Sequence, residues 1–329
     1  MSAGSKEAPE EGDSRLKDAA AQAGFIAVDP ISIALLDQVR KIAPTTATVL
    51  IQGESGVGKD LAASLLHYLG PRPEEPLLKI DCASLPPSLM ESELFGYERG
   101  AFTGAAERKR GRLELAGSGT IVLDEVSALS LAMQAKLLRV LEDRRFDRLG
   151  GSQPVVISDA VRIIAISNLD LEQAVKRREF RDDLYYRLHV VPLHIPPLRQ
   201  RSADIVPLAE HFLEQFAFAH ARPLRIFSAA AALLLQQYAF PGNVRELRNL
   251  CERLLISAAS LSPTEISPEE LTALLPLKDS SKKMTLEELE RAYIAEVLDF
   301  TRGRKSKAAE ILGISRKTLL EKRKRYKLD

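Results

Sequence analysis

The sequence predicts an α/β protein: a parallel sheet with helices on both faces, organised around a phosphate-binding P-loop, then a small helical subdomain and a C-terminal all-α helix-turn-helix domain. Three observations predict it. Through the first 195 residues, apolar runs alternate with helical stretches, the pattern of strands covered on both faces. A glycine loop, Gly53-Glu54-Ser55-Gly56-Val57-Gly58-Lys59-Asp60, lies between one such run and a helix. The charge is also unevenly placed. The 329 residues carry a net +1, but residues 301–329 hold 11 Lys/Arg against 3 Asp/Glu, a net +8, leaving −7 for the rest. A compact basic end on a mildly acidic body points to nucleic acid, although a solvated charged face would carry the same charge.

The chain has material for two or three domains. Its two cysteines, Cys82 and Cys251, match no metal spacing and read as reduced core residues of a cytoplasmic protein. No apolar run approaches a membrane span of about 20 residues, and the first residues are too polar for a signal peptide.

Residues 1–22 have no apolar period and are expected to form a disordered leader. Order is expected from Phe25, with Ile31, Leu35, Val39 and Ile42 lining an amphipathic helix. The strand 47–51 leads into the glycine loop and the helix that starts near Leu61. Glycines let several N–H groups face inward, the helix N-terminus adds its positive end, and Lys59 meets the β- and γ-phosphates. Asp60 takes the place of the usual Ser or Thr hydroxyl that helps hold Mg²⁺.

A short strand, 77–81, comes next, and then a tip that sets Phe102 and Thr103 between Gly100 and Gly104. A loop that contacts a partner and a folded-back turn that buries Phe102 explain it equally well. The strand 119–123 ends in Asp124 and Glu125, a pair that can hold Mg²⁺ and activate water. A helix over 131–143, a hairpin near 146–151 and a strand over 161–167 ending at Asn168 complete the pattern. The loop, Asp124 and Asn168 then fall together at the carboxyl ends of the strands. Arg181 and Arg187, six residues apart on a short helix, read by themselves as ordinary surface arginines.

After Pro196-Pro197 the pattern is helical, over 204–219, 228–238 and 243–258. Arg245 lies in a first helical turn, where the dipole disfavours a cation, which hints at an anionic ligand. Residues 261–281, with four Ser and three Pro, read as a linker. A helix over 284–300 sets Leu286, Leu289, Tyr293, Val297 and Phe300 on one face, wide enough for dimer packing. Two short helices across Gly313 follow, the second capped by Ser315 and rich in Lys and Arg, as in a helix-turn-helix reader of DNA.

The segments GESGVGKD, ESELFGYERGAFTGA, LLRVLEDRRFDRLGG, FRDDLYYRL and FPGNVRELRN resemble the sigma-54-dependent transcriptional activators, the bacterial enhancer-binding proteins of the AAA+ superfamily. The likeness runs from about Phe25 to the C-terminus, and the hexapeptide GAFTGA is nearly private to that family. It implies an AAA+ α/β ATPase subdomain over 23–195, a helical lid over 196–260, a linker over 261–281 and a Fis-type DNA-binding domain over 282–329.

The resemblance also implies ATP and Mg²⁺ as cofactors and assigns roles. Gly53, Glu54, Ser55, Gly56, Val57, Gly58, Lys59 and Asp60 hold the triphosphate, Asp124 the Mg²⁺, and Glu125 polarises the attacking water. Asn168 senses the γ-phosphate. Arg181 and Arg187 act as arginine fingers on a neighbouring subunit's nucleotide, and Arg245 acts within its own subunit. Gly100, Ala101, Phe102, Thr103, Gly104 and Ala105 contact sigma-54. Ser315, Arg316, Lys317, Thr318, Lys322 and Arg323 contact DNA. Two positions depart from the family pattern: Asp60, where Glu is usual, and Asp81, where an Asn usually holds the catalytic glutamate. A carboxylate facing Glu125 would repel it, so coupling between nucleotide and loop is expected to differ.

The implied function is a transcriptional activator that binds upstream double-stranded DNA as a dimer, assembles a hexameric ring and uses ATP to convert the closed sigma-54 RNA polymerase complex to the open one. A DNA-binding regulator that uses the fold as a nucleotide- or ligand-gated scaffold is the alternative, and a general AAA+ unfoldase is disfavoured by the basic C-terminus. About 24 residues precede the ordered part, too few for a sensor domain, so control is expected from a regulatory protein acting in trans or from a segment removed.

Overall fold

The computed structural model describes residues 25–257, 264–275, 286–301 and 304–326, and the expected leader lies outside them. The chain divides into two compact units, one ending at Leu274 and the other beginning at Leu275.

In the first unit, helix α1 (Pro30–Ile42) precedes strand β1 (Val49–Gln52), which the phosphate loop joins to α2 (Lys59–Tyr68). Strand β2 (Leu77–Asp81) and helix α3 (Pro87–Phe95) lead to a small antiparallel pair, β3 (Gly96–Tyr97) with β4 (Lys109–Arg110), which frames the GAFTGA tip. Helix α4 (Arg112–Leu115), strand β5 (Thr120–Asp124) and helix α5 (Leu131–Asp143) follow. A hairpin of β6 (Arg145–Asp147) and β7 (Pro154–Val156), strand β8 (Arg162–Ser167), α6 (Leu171–Lys176), α7 (Asp182–Leu188) and β9 (Val191–His194) complete the α/β part.

The central sheet has the order β2-β5-β8-β1-β9, all neighbours parallel. Its strands are apolar on both faces because both faces are covered, and the pleat separates the two cores. Leu50, Ile121, Leu123, Ile163 and Ala165 pack on one side against α3 and α5. Val49, Ile51, Val122, Ile164 and Ile166 pack on the other against α1 and α2. Each fully buried side chain contributes roughly 1.5–3 kcal/mol.

Local signals set the helices. Asp29 caps α1 by accepting from the amide of Ile31, with Pro30 in the first turn, and Ser130 caps α5 through the amide of Met133. Leu35 and Val39 face the core as the spacing predicts, but Ile31 is exposed and Ser32 is buried. The reason is tertiary: the Ser32 hydroxyl donates to Asp204, a buried carboxylate that also accepts the amides of Val28 and Asp29.

The helical part holds α8 (Ile205–Ala219), α9 (Ala229–Gln237), α10 (Asn243–Ile256) and α11 (Pro268–Leu274). It also holds a two-residue parallel pair, β10 (Ile226–Phe227) with β11 (Glu265–Ile266). Residues 264–275, expected within a linker, therefore form a strand and a helix of this part. Ile266 and Leu271 are fully buried, and Glu270 takes a two-point ion pair with the buried Arg225 at 2.5 and 2.7 Å. The Ser and Pro content obscured two apolar anchors five residues apart.

The second unit comprises α12 (Leu286–Phe300), α13 (Lys305–Ile311) and α14 (Arg316–Tyr326). Gly313, at φ +64°, makes the turn, and Ser315 caps α14 by accepting from the amide of Thr318 at 3.0 Å. Its core contains Ile294, Val297, Ala308, Ala309, Leu319 and Tyr326. On α12 the buried stripe runs through Ile294 and Val297, and Tyr293, on the face expected to pack a dimer, is 53% exposed. The side chains of Leu286, Leu289 and Phe300 lie outside the described residues. Among the described residues no helix is long and apolar enough to cross a membrane.

Candidate nucleotide site and contact loops

Strands β5, β8 and β1 are adjacent, so the segments that leave their carboxyl ends meet along one edge. These are Asp124-Glu125, Asn168 and the phosphate loop. In the loop, Gly56 has φ +78°, and a Cβ there would lie 2.5 Å from the carbonyl oxygen of Gly242. At Gly53 a Cβ would lie 2.6 Å from the carbonyl oxygen of Ile195.

All six carbonyls from Gly53 to Gly58 accept from the protein. Lys59 Nζ donates to Gly53 and Glu54 at 2.9 and 3.0 Å. The Asn243 amide donates to Ser55 at 3.0 Å, the backbone N–H groups of Val244 and Arg245 to Gly56 at 3.0 and 3.3 Å, and the buried Arg201 to Val57 at 2.7 Å. The amide of Ala62 closes the set on Gly58 at 3.1 Å. Because a trans peptide opposes its C=O and N–H, the Ser55, Gly56 and Val57 carbonyls, turned outward to these residues, leave the N–H groups of Gly56, Val57 and Gly58 facing the loop interior. That is the arrangement an anion needs.

Lys59 is buried, which lowers its pKa, while Glu125, Asp124 and Asp60 pull in the opposite direction. Glu125 has φ +53°, an uncommon conformation for a residue with a side chain, and its carboxylate accepts the backbone amide of Asn168 at 3.3 Å. Asp124 and Asp60 converge on one cation: Lys79 Nζ lies 2.8 Å from Asp124 and 2.5 Å from Asp60. Burial disfavours the Lys79 charge, but these bonds outweigh it and raise its pKa. Lys79, given no role in the sequence reading, was findable there only as the one basic residue of its strand. Asp81 accepts the amide of Ala83 at 2.9 Å.

Arg245 donates to the hydroxyl of Ser55 at 2.9 Å, so it reaches the loop from the first turn of α10. Glu54 takes two bonds from Arg199, at 2.8 and 2.6 Å, and one from Asn243 at 3.1 Å. Arg199 first and Asn243 second hold its carboxyl at about 2. A cavity of about 210 Å³ opens beside Gly58, with Phe25, Ile26, Leu61, Leu208 and Phe212 among its walls. Its apolar residues come from four separate segments, which is why sequence reasoning missed it.

Arg181 and Arg187 are placed elsewhere. Arg181 precedes α7 and pairs with Asp183 at 2.7 Å, and Arg187 donates to the carbonyl of Leu141 at the end of α5 at 2.8 Å. The tip Gly100–Ala105 closes on itself through the Gly100 amide and the Ala105 carbonyl at 2.9 Å. Phe102 is 45% exposed and rests its ring edge-on against Tyr97, with centroids 5.0 Å apart. Beneath the tip, buried Arg148 binds Glu98 at 2.8 Å and Glu114 at 2.7 Å, and so ties the tip's base to the β6–β7 hairpin.

In the second unit, Ser315, Arg316 and Lys317 are exposed at the start of α14, with Thr318 half-buried beside them. Lys322 pairs with Glu290 of α12, and Arg325 with Glu287 at 2.7 Å. Arg323 lies on α14 one residue beyond Lys322.

Comparison with known proteins adds three findings. Residues 25–194 match the sigma-54 interaction domain, 199–288 the AAA+ ATPase lid domain, and 285–326 the bacterial regulatory protein, Fis family. Transcriptional regulatory protein ZraR of Escherichia coli (strain K12) is 44% identical over 305 residues, 92% of this chain and 69% of that protein. The Nif-specific regulatory protein of Azotobacter vinelandii is 42% identical over 323 residues, 94% of this chain and 61% of that protein. Among solved structures, NtrX from Brucella abortus in complex with ADP superposes with a TM-score of 0.71 at 33% identity, covering 96% of this chain and 73% of that one. The same protein in complex with ATP gives 0.69 at 34% identity, covering 95% and 73%.

Proposed function

The chain belongs to the sigma-54-dependent transcriptional activators, an AAA+ ATPase joined to a Fis-type helix-turn-helix domain, and from this we propose that it remodels the sigma-54 RNA polymerase closed complex from within an ATP-driven ring. The observation that carries the proposal is the convergence of Lys59, Asp124, Glu125 and Asn168 around a loop whose N–H groups face inward, with Arg245 reaching in from α10.

In this reading the loop amides and Lys59 hold the triphosphate, and the apolar cavity beside Gly58 takes the adenine. Glu125 orients the attacking water, its carboxylate held by the Asn168 amide. Asn168 and Arg245 report on the γ-phosphate. Two carboxylates, Asp60 and Asp124, already share one cation, a donor set suited to Mg²⁺ with its preference for hard oxygens. When bound, that ion would neutralise charge on the phosphates.

Arg181 and Arg187 belong to the neighbour's site. A finger supplied in trans is worth about 10³-fold or more in rate, which makes hydrolysis depend on assembly. Phe102 and Thr103 engage sigma-54, and the exposed start of α14 binds upstream DNA as part of a dimer. The setting is the cytoplasm, and a regulatory protein acting in trans supplies control.

The experiment is ATP turnover against protein concentration for wild type and Arg187→Ala, with sigma-54 capture in the presence of ADP and aluminium or beryllium fluoride. Turnover per subunit that climbs with concentration, vanishes in the variant and accompanies analogue-dependent capture supports the remodeller. Flat or absent turnover with intact DNA binding would replace it with the non-remodelling scaffold.

A further inference from the structure

The outward face of the phosphate loop is held largely by residues more than 140 positions away, from Arg201, Asn243, Val244 and Arg245. Asn243 joins these contacts together. It is fully buried, and every polar atom of its side chain is engaged. Its NH₂ donates to the Ser55 carbonyl at 3.0 Å and to a Glu54 carboxylate oxygen at 3.1 Å, and its carbonyl accepts the amide of Leu198 at 2.8 Å. Its backbone is left-handed, φ +53°, which Asn tolerates better than most residues. It also starts α10, whose N-terminus has no side-chain cap. The next two N–H groups are satisfied by the Gly56 carbonyl, so the phosphate loop itself caps the helix.

We infer that Asn243 is a positioning residue for the nucleotide: it fastens Glu54 and Ser55 to the first turn of α10, so that the loop's inward N–H groups and the Arg245 guanidinium are held as one unit. The inference rests on the nucleotide reading of the loop. Its consequence is that any shift of α10 is transmitted to the phosphate cradle, and occupancy of the cradle is transmitted back. Arg199 adds a second tie to the same Glu54 carboxylate.

The chemistry of the amide separates this role from a purely structural one. Asn243→Asp is nearly isosteric, keeps the acceptor for Leu198 and tolerates the same backbone angle. It replaces the two donor bonds with a carboxylate facing the Glu54 carboxylate and the Ser55 carbonyl. Glu54 is ionised at neutral pH, so the repulsion acts there in full.

The test uses the full chain and its Asn243→Asp, Glu54→Gln and doubly substituted forms, each with its Tm recorded. The readouts are titration with a fluorescent ADP, hydrogen exchange over residues 242–247 and steady-state KM and kcat. Asn243→Asp is expected to weaken ADP binding by ~10-fold or more, as for a buried hydrogen-bond partner turned repulsive. It should speed exchange at Val244 and Arg245 and raise KM more than it lowers kcat. Adding Glu54→Gln lets the introduced amide donate to the introduced carboxylate, and affinity should return to within ~3-fold of the Glu54→Gln single form.

Affinity and exchange unchanged in Asn243→Asp, or a loss of the same size with and without Glu54→Gln, would overturn the inference. Should Asn243→Asp fail to fold, Asn243→Gly keeps the backbone angle and removes the donors; faster exchange with weaker ADP binding supports the role, and wild-type behaviour in both refutes it. Coupling between positions 54 and 243 without turnover or sigma-54 capture would remove the remodelling function alone. Normal turnover with the two positions uncoupled would remove this inference alone.

Discussion

Two glycine-rich loops lie in the same α/β unit and do opposite things with their glycines. In the phosphate loop, Gly53 and Gly56 are small because other backbone is in the way, the carbonyl oxygens of Ile195 and Gly242. In the GAFTGA tip, Gly100 and Gly104 have φ of +84° and +108°, yet a Cβ on either would meet nothing within 4 Å. One loop has every carbonyl from Gly53 to Gly58 engaged, those of Ser55, Gly56 and Val57 by residues more than 140 positions away, while the other is shaped by its own backbone and fastened at its base, through Arg148 and the backbone bonds of Gly96 and Glu98 with Leu149. A site that must hold charge in fixed geometry needs the first kind, and a contact that must move against a partner needs the second.

The sharpest way to break this contrast is to add one methyl group to each loop. Gly56→Ala meets both a strained φ and the Gly242 carbonyl at 2.5 Å, and should weaken nucleotide binding on the order of 100-fold. Gly104→Ala meets only the backbone penalty of roughly 1–2 kcal/mol, and nucleotide titration should leave its affinity unchanged. Equal losses in the two variants would erase the distinction.

A smaller effect is expected at the base of the tip. Arg148→Met removes the nearly buried guanidinium shared by Glu98 and Glu114 and leaves them the exposed Arg108 and, for Glu114, Arg110 at 2.6 Å. Chemical denaturation should show a loss of about 2 kcal/mol, reduced from the fully buried case because Glu98 is partly exposed. ADP affinity should hold, since no phosphate-loop carbonyl depends on this arginine.

The Glu54 tie gives a pH signature. Its folded carboxyl lies at about 2, depressed from 4.5, so its contribution is complete above the unfolded value and is lost as pH falls from 4.5 towards 2. The stability difference between wild type and Glu54→Gln should therefore be constant from pH 8 to about 5 and narrow below that; a difference that widens on acidification would contradict the assigned bonds. Smallest in stability is Phe102→Ala. With its ring half-exposed on Tyr97, denaturation should shift by about 1 kcal/mol or less, turnover should persist, and analogue-dependent sigma-54 capture should fail.

Much of the fold and the line of the site was legible beforehand. The alternating apolar runs, the glycine loop and the strand-end Asp124-Glu125 are local patterns whose meaning depends on neighbours a few residues away. The helix over Leu131–Asp143 was readable to the residue because its cap and its apolar spacing agree. The misreadings share one cause, long-range partners. Ile31 is exposed because Ser32 is drawn to Asp204, and the stretch at 264–275 is folded because Arg225 and the β10 edge receive it.

By itself, then, the sequence determined most of the strands and helices, which loop is built for phosphate, and where the basic helix-turn-helix lies, because propensity, capping and periodicity act within a turn or two of chain. Only the tertiary structure decided how the site is held. Asn243, Arg201 and Arg199 reach the phosphate loop across more than 140 residues of chain. A buried amide has no periodic signature; its worth comes from the unsatisfied carbonyls that folding brings to it.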